Sequence, residues 1–198
     1  MIRFFGGRVM TLANGIETQD IEVWTEGSKI VFVGKPKAEE LDGKVFEREY
    51  DLKGNLLMPS FKNAHTHSAM TFLRSYADDM PLQDWLFKQI FPMEAKLDGE
   101  KVYWLTKLAI LEYLTTGCTA TFDMYFELDD YVKACIESGF RSVLCGAVSG
   151  DKSNLERLEN NYLKYNGKDP LISFMLGFHA EYTCEKELME GVGKLAAK

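Results

Sequence analysis

Two of the three histidines stand one residue apart, in the run Leu57-Met58-Pro59-Ser60-Phe61-Lys62-Asn63-Ala64-His65-Thr66-His67. Along an extended strand, successive side chains point to opposite faces. His65 and His67 are therefore expected on one face, about 6–7 Å apart along the backbone. Two neutral imidazoles so placed can close on a single ion, and imidazole suits zinc, iron or nickel. The competing reading is two satisfied polar residues at a strand end. The run before the pair is short and apolar, and a helix-like pattern follows it. The pair is thus expected to end a buried strand, where an α/β enzyme keeps its chemistry.

The elements that must position these residues fall into two textures. Residues 1–58 read as short strands (Ile21-Glu22-Val23-Trp24, Ile30-Val31-Phe32-Val33, Phe46-Glu47-Arg48-Glu49-Tyr50) broken by turns at Gly6-Gly7, Ala13-Asn14-Gly15, Glu26-Gly27-Ser28, Gly34-Lys35-Pro36 and Lys53-Gly54-Asn55. Regular strand-and-turn spacing predicts a small antiparallel sheet or sandwich, and no chemistry is visible in it. From 59 to 198, strands alternate with helices, the signature of βα units and a parallel sheet. Strands are expected at 61–65, 119–124, 141–148 and 171–179. Pro81 to Lys96 reads as a helix that Pro92 breaks or kinks. Asp98 is a candidate N-cap for a helix running to about Thr116, with Gly117 as its stop. Further helices are expected over 129–138 and 154–165. A last one carries the stripe Leu188, Met189, Val192, Leu195 and Ala196. Four βα units do not close a barrel that needs eight, so this part reads as the first half of a larger fold. A complete open four-stranded sheet is the alternative.

The 198 residues are 46% hydrophobic and 27% charged, the composition of an ordinary soluble globular protein. A net charge of −7 argues against a nucleic-acid surface, which needs clustered Lys and Arg. No apolar run approaches the length of a membrane span, and the N-terminus lacks the apolar core of a secretory signal. Cys118, Cys135, Cys145 and Cys184 show no Cys-x-x-Cys spacing, and three of them lie in apolar surroundings. Reduced core thiols in a cytoplasmic protein are expected, and a thiolate zinc site is not.

The run Leu57 to Arg74 closely resembles the first-strand motif of the amidohydrolase superfamily. Its continuation through Tyr76-Ala77-Asp78-Asp79-Met80-Pro81-Leu82-Gln83-Asp84-Trp85-Leu86 and Phe91-Pro92-Met93-Glu94-Ala95-Lys96-Leu97 is similar to one branch. That branch holds methylthioadenosine/S-adenosylhomocysteine deaminases and triazine chlorohydrolases. The likeness extends through Thr121-Phe122-Asp123-Met124-Tyr125-Phe126 to His179-Ala180-Glu181-Tyr182-Thr183-Cys184.

The resemblance implies an α/β fold: the first half of a (β/α)8 TIM-type barrel, preceded by a small β-sandwich segment. It implies that His65 and His67 are two ligands of one divalent metal, zinc or iron. A hydroxide on that metal would attack a ring carbon and expel ammonia from a heterocyclic amine such as an adenine nucleoside. Expulsion of chloride from a triazine-like ring is the rival within enzymes, and a non-catalytic truncated fragment or binding module the rival outside them. Glu94 matches the position that holds the ribose hydroxyls, as a carboxylate can hold a vicinal diol. Trp85 matches a tryptophan lining the same region, and His179 a histidine that hydrogen-bonds the heterocycle. Arg157 matches an arginine that pairs with the amino-acid carboxylate of homocysteine-type substrates. On the residues alone, Glu94 and Arg157 also read as solvated helix residues, Trp85 as core, and His179 as structural. Asp123 ends the second strand without a ligand role in the motif.

Two departures weigh against S-adenosylhomocysteine. Gly146 stands where such deaminases carry a second arginine, and Glu181 where a proline usually follows the histidine by two. The family's remaining ligands and its general acid–base are expected beyond residue 198, so the chain alone is expected to be inactive. Half a barrel exposes apolar surface, which predicts a homo-oligomer or a self-associating chain.

Overall fold

A computed structural model describes residues 1–13, 15–126 and 128–198. The turn expected at Ala13-Asn14-Gly15 includes Asn14, which lies outside the described residues. The chain divides into two compact units, Met1–Ser60 and Phe61–Lys198.

The first unit holds β1 (Ile2–Phe5), β2 (Arg8–Met10), β3 (Thr18–Gln19), β4 (Glu22–Glu26), β5 (Lys29–Gly34), a single helical turn α1 (Ala38–Leu41), β6 (Arg48–Asp51) and β7 (Leu56–Leu57). They form one sheet in the order β5-β4-β1-β6 and another in the order β3-β2-β7. Both sheets are mixed rather than antiparallel, because β6 returns alongside β1 and β7 alongside β2 in the same direction. Val9, Val23 and Trp24 are buried. The Trp24 ring stacks on Phe32 at 4.1 Å and its indole N–H donates to Glu22 at 2.9 Å.

The second unit runs β8 (Phe61–Thr66), a 3-10 turn (Ser68–Leu73), α2 (Leu82–Asp84), a π-helical turn (Trp85–Ile90), α3 (Phe91–Glu94), α4 (Gly99–Thr115), β9 (Cys118–Tyr125), α5 (Leu128–Glu137), β10 (Arg141–Gly146), α6 (Leu155–Tyr165), β11 (Ile172–Met175) and α7 (Lys186–Ala196). All neighbouring strands pair in parallel, in the order β11-β10-β9-β8. The helix signals act locally as expected. The Asp98 side chain accepts the Lys101 N–H at 3.0 Å and caps α4. Gly117, at φ +81°, turns the chain out of that helix into β9. Tyr131, Phe140, Leu144, Leu158, Ile172, Phe174, Leu188 and Val192 form the core beneath the sheet. The cysteines are thiols; Cys118, Cys135 and Cys145 are buried. Among the described residues, no helix is long and apolar enough to cross a membrane.

One expectation is refined and two are corrected. The helix over 81–96 is interrupted next to Pro92 as expected, and the interruption is a widening. Pro92 has no N–H for the carbonyl of Lys88 and its ring crowds that carbonyl, and the turn before it opens so that the Phe91 N–H bonds Leu86 O, five residues back. The third and fourth strands end early, at Gly146 and Met175, and the segments after them pair again only through isolated bridges, Val148 with Phe178 and Gly150 with Cys184. His179 therefore follows the first of these bridges instead of ending the strand. At this break Gly177 packs against the Cys145 side chain, since a Cβ on Gly177 would meet Cys145 Sγ at 2.7 Å. The first strand is also irregular: its register against β9 shifts between Asn63 and Thr66, so Ala64 and His65 sit in a bulge.

Gly146 is tightly enclosed. A Cβ there would overlap Leu158 Cδ1 and lie 3.4 Å from both Gly177 O and Phe174 Cζ. Leu158 is fully buried and has no free space to move into. Gly146→Ala is expected to cost about 1–3 kcal/mol through overpacking, read as a lowered unfolding midpoint. Gly146→Arg should lose more stability, because its side chain starts into the helix layer. Wild-type stability in Gly146→Ala would contradict this packing.

Candidate active site

The carboxyl ends of the four parallel strands converge on a cavity of about 500 Å³. This is where parallel α/β sheets place their ligands. His67 and Met70 come from the turn after β8, Met124 and Tyr125 from the end of β9, Ala147 and Ser149 from the segment after β10, and His179, Tyr182 and Thr183 from the segment after β11. The remaining wall is the widened helix, which contributes Trp85, Leu86, Phe87, Ile90, Phe91 and Glu94. A π-turn rotates the residues that follow it relative to those before, and here Trp85 and Glu94, on either side of it, line one cavity.

His67 is half-buried. Its Nδ1 lies 2.7 Å from the carbonyl oxygen of Met124. A carbonyl only accepts, so Nδ1 carries the proton and Nε2 keeps its lone pair, the tautomer a metal requires. The His65 ring lies 5.3 Å from the His67 ring, edge to face. Two imidazoles bound to one tetrahedral ion at the usual Zn–N length would have ring centres about 5 Å apart, so the pair fits a shared ion. His65 itself is exposed and its N–H bonds Asn63 Oδ1 at 3.2 Å within the bulge. Strict alternation along the strand does not survive that bulge, yet the two rings still meet. Among the described residues no third His, Cys, Asp or Glu joins them in a cluster able to hold a metal.

Below His67 lies a buried carboxylate network. Ser68 donates its N–H to the Asp123 carboxylate at 3.3 and 3.2 Å, and its hydroxyl donates to Asp123 Oδ2. Tyr131 donates to the same oxygen at 2.8 Å and stands 2.9 Å from Ser142 Oγ. Tyr113 Oη is 3.1 Å from Ser68 Oγ and 2.5 Å from Thr66 Oγ1. Burial pushes the Asp123 carboxyl above the usual carboxylate range, and the donors from Ser68 and Tyr131 oppose that push.

Across the cavity, burial also raises the Glu94 carboxyl, offset in part by the Tyr125 hydroxyl and the nearby His67. Tyr125 Oη is buried and makes no hydrogen bond of ordinary geometry among the described residues. The Thr183 hydroxyl donates to Ala180 O at 3.0 Å and so accepts from His179 Nδ1, 2.8 Å away. Burial, then the proximity of His67, lowers the His179 imidazole.

Of the residues singled out from sequence, His67, Trp85, Glu94 and His179 thus share one cavity. His65 adjoins His67 without lining it. Arg157 is exposed on α6 and outside the lining. Sequence reasoning missed Tyr125, Tyr182 and Thr183 as lining residues and Asp123 as a structural partner of the histidine turn. The available signal for Tyr125 was its place at the carboxyl end of a strand.

The amidohydrolase family profile matches residues 56–198, and the chain belongs to that family. It is 40% identical over 193 residues to a 5-methylthioadenosine/S-adenosylhomocysteine deaminase from Caldicellulosiruptor saccharolyticus, covering 96% of this chain and 45% of that protein. It is 42% identical over 187 residues to a 5'-deoxyadenosine deaminase from Methanocaldococcus jannaschii, covering 91% and 43%. A solved adenosine deaminase from Xanthomonas campestris with bound zinc superposes with a TM-score of 0.88 at 30% identity, covering 99% of this chain and 46% of that one. The chain spans less than half the length of these relatives.

The raised Glu94 carboxyl has a pH consequence. Below the carboxylate pKa of the unfolded chain, about 4.3, both states are protonated and burial costs nothing. As pH rises through the higher folded-state pKa, the unfolded state gains by ionising and the folded state resists, so stability is lost. In metal-free protein, Glu94→Gln should therefore match the wild type in acid and exceed it towards neutral pH. Unfolding midpoints that differ equally at all pH values would contradict this.

Proposed function

We propose that the protein is a metal-dependent aminohydrolase of adenine nucleosides, and that this chain provides two metal ligands and the nucleoside-binding wall. The observation that carries the reading is the convergence of His67, with Nε2 free and oriented, Glu94 and His179 on one cavity at the strand ends. About 500 Å³ falls within the usual range for a small-molecule site. The four parallel βα units are read as half of a (β/α)8 barrel. In a protein of the relatives' length, the remaining ligands and the group that moves protons come from the other half.

His65 and His67 would hold the metal, zinc or iron, and when bound it supplies Lewis-acid activation of water for attack on the amino-bearing ring carbon. Trp85, Ile90 and Phe91 give the flat heterocycle an apolar wall. His179 contributes a hydrogen bond to the ring from the far side, its tilt fixed by Thr183. Glu94 accepts both hydroxyls of the ribose diol, with the Tyr125 hydroxyl at its back. The position of Arg157 and the packing at Gly146 leave no carboxylate clamp in the cavity. The reading therefore favours methylthioadenosine or 5'-deoxyadenosine over S-adenosylhomocysteine.

The test uses purified protein, including any residues that follow Lys198 in the natural product, with ammonia release and metal content as readouts. His65→Ala and His67→Ala should each lose bound metal and nearly all activity. Glu94→Ala should lower kcat/KM for ribosides about 10–100-fold, the worth of a hydrogen bond to a charged group, and should affect a 2',3'-dideoxy analogue little. Full metal content and rate in His67→Ala would overturn the assignment.

A further inference from the structure

Two adjacent residues of β9 grip two adjacent residues after β8. The Met124 carbonyl holds the His67 ring at Nδ1, and the Asp123 carboxylate holds the backbone and hydroxyl of Ser68. One grip is a backbone carbonyl and the other a side-chain carboxylate, from consecutive residues of one strand. His67 is thereby fixed at its ring and at its following peptide. Ser68 and Asp123 are both nearly solvent-free, at 3% and 1% exposure, so water does not readily replace the carboxylate grip. The need for such a hold is visible in β8. Its ladder is broken by the bulge at Ala64 and His65, so strand pairing alone does not set the direction in which residues 65–67 point.

We propose that Asp123 is a positioning residue of the metal centre: through Ser68 it fixes the peptide from which His67 presents Nε2. This rests on His67 being a metal ligand. A carboxylate suits the task because it offers two acceptor oxygens to three converging donors: the Ser68 N–H, the Ser68 hydroxyl and the Tyr131 hydroxyl. An amide in its place offers a single acceptor and must turn an N–H₂ toward a donor. The Tyr131 contact lies on the helix side of Asp123 and reaches His67 only through the carboxylate. It anchors Asp123 without touching the histidine turn.

The experiment compares zinc affinity, measured by competition with a chromogenic chelator, with the unfolding midpoint of the metal-free full-length protein. Asp123→Asn should raise the zinc Kd about 10–100-fold, the usual effect of losing a partner behind a metal ligand, and Ser68→Ala should raise it several-fold. Tyr131→Phe should lower the unfolding midpoint while leaving the zinc Kd at the wild-type value. If Asp123→Asn does not fold, Ser68→Ala decides alone. Wild-type zinc affinity in folded Asp123→Asn or in Ser68→Ala overturns the proposal. It is equally overturned if Tyr131→Phe weakens zinc as much as Asp123→Asn for the same loss of midpoint, since the effect is then general loosening. His67→Ala separates the two readings: zinc retained there removes the ligand assignment itself, whatever Asp123 does.

Discussion

A carboxylate sealed between a sheet and its helices constrains everything around it. Removing an ionised carboxylate from water costs several kcal/mol unless donors converge on it, and a carboxylate left with one donor too few would destabilise the unit that holds it. Asp123 is satisfied only when three elements arrive together: the turn after β8 with Ser68, α5 with Tyr131, and β9 itself. Tyr131 continues the chain of contacts to Ser142 on β10. With Tyr113 of α4 against Ser68, the network therefore ties β8, β9 and β10 and two helices into a single arrangement, and it ends one residue from the histidine that faces the cavity. Apolar packing of Phe140, Leu144 and Leu158 supplies the bulk of the core, but dispersion and burial tolerate sliding. A carboxylate with directional donors does not.

Much of this was legible from residues alone, for reasons that differ by element. The cap at Asp98 and the stop at Gly117 depend on a few neighbouring atoms, so they follow from local chemistry. The βα alternation follows from hydrophobic period, which burial enforces over many residues. What escaped the sequence was set by contacts between distant segments. The bulge at Ala64 and His65 is a register shift in the pairing of β8 with β9, two segments far apart in the chain. The early ends of β10 and β11 lie where Gly177 packs against the Cys145 side chain, a contact between distant segments. Arg157 matched by position along the chain, yet helix phase puts it on the solvent side while its neighbour Leu158 is buried. A one-residue offset on a helix rotates a side chain by about 100°.

The widened turn before Pro92 shows how one residue reshapes a wall without being part of it. Proline denies its own N–H to the helix and pushes against the carbonyl four residues back. The helix absorbs the misfit by an i→i+5 bond from Phe91 to Leu86, with its helical dihedrals preserved on either side. Trp85, Ile90 and Glu94 then line one cavity over nearly three turns. The carboxylate and the aromatic wall share a rigid element, and the distance between them is fixed by backbone hydrogen bonds, not by loop conformation. Sites on regular elements hold tighter geometry than sites on loops.

The electrostatics of the cavity limit what it can accept. Its walls are mostly aromatic and aliphatic, and its titratable groups are Glu94, His67, His179 and two tyrosines. The described lining contains no lysine or arginine. A ligand carrying a carboxylate or phosphate against Glu94 would meet no lysine or arginine in the described lining, at a penalty that low dielectric enlarges. On the reading proposed above, an uncharged flat ring with a neutral sugar would meet apolar faces for the ring, an acceptor pair for the diol and an imidazole for the ring edge. The same reasoning explains why Gly146 matters beyond packing. The one strand-end position at which the family resemblance places a cation is the position where Leu158 and Phe174 leave no space for any side chain. On the proposed reading, the core behind the sheet and the residues that line the cavity act in the same direction on substrate charge.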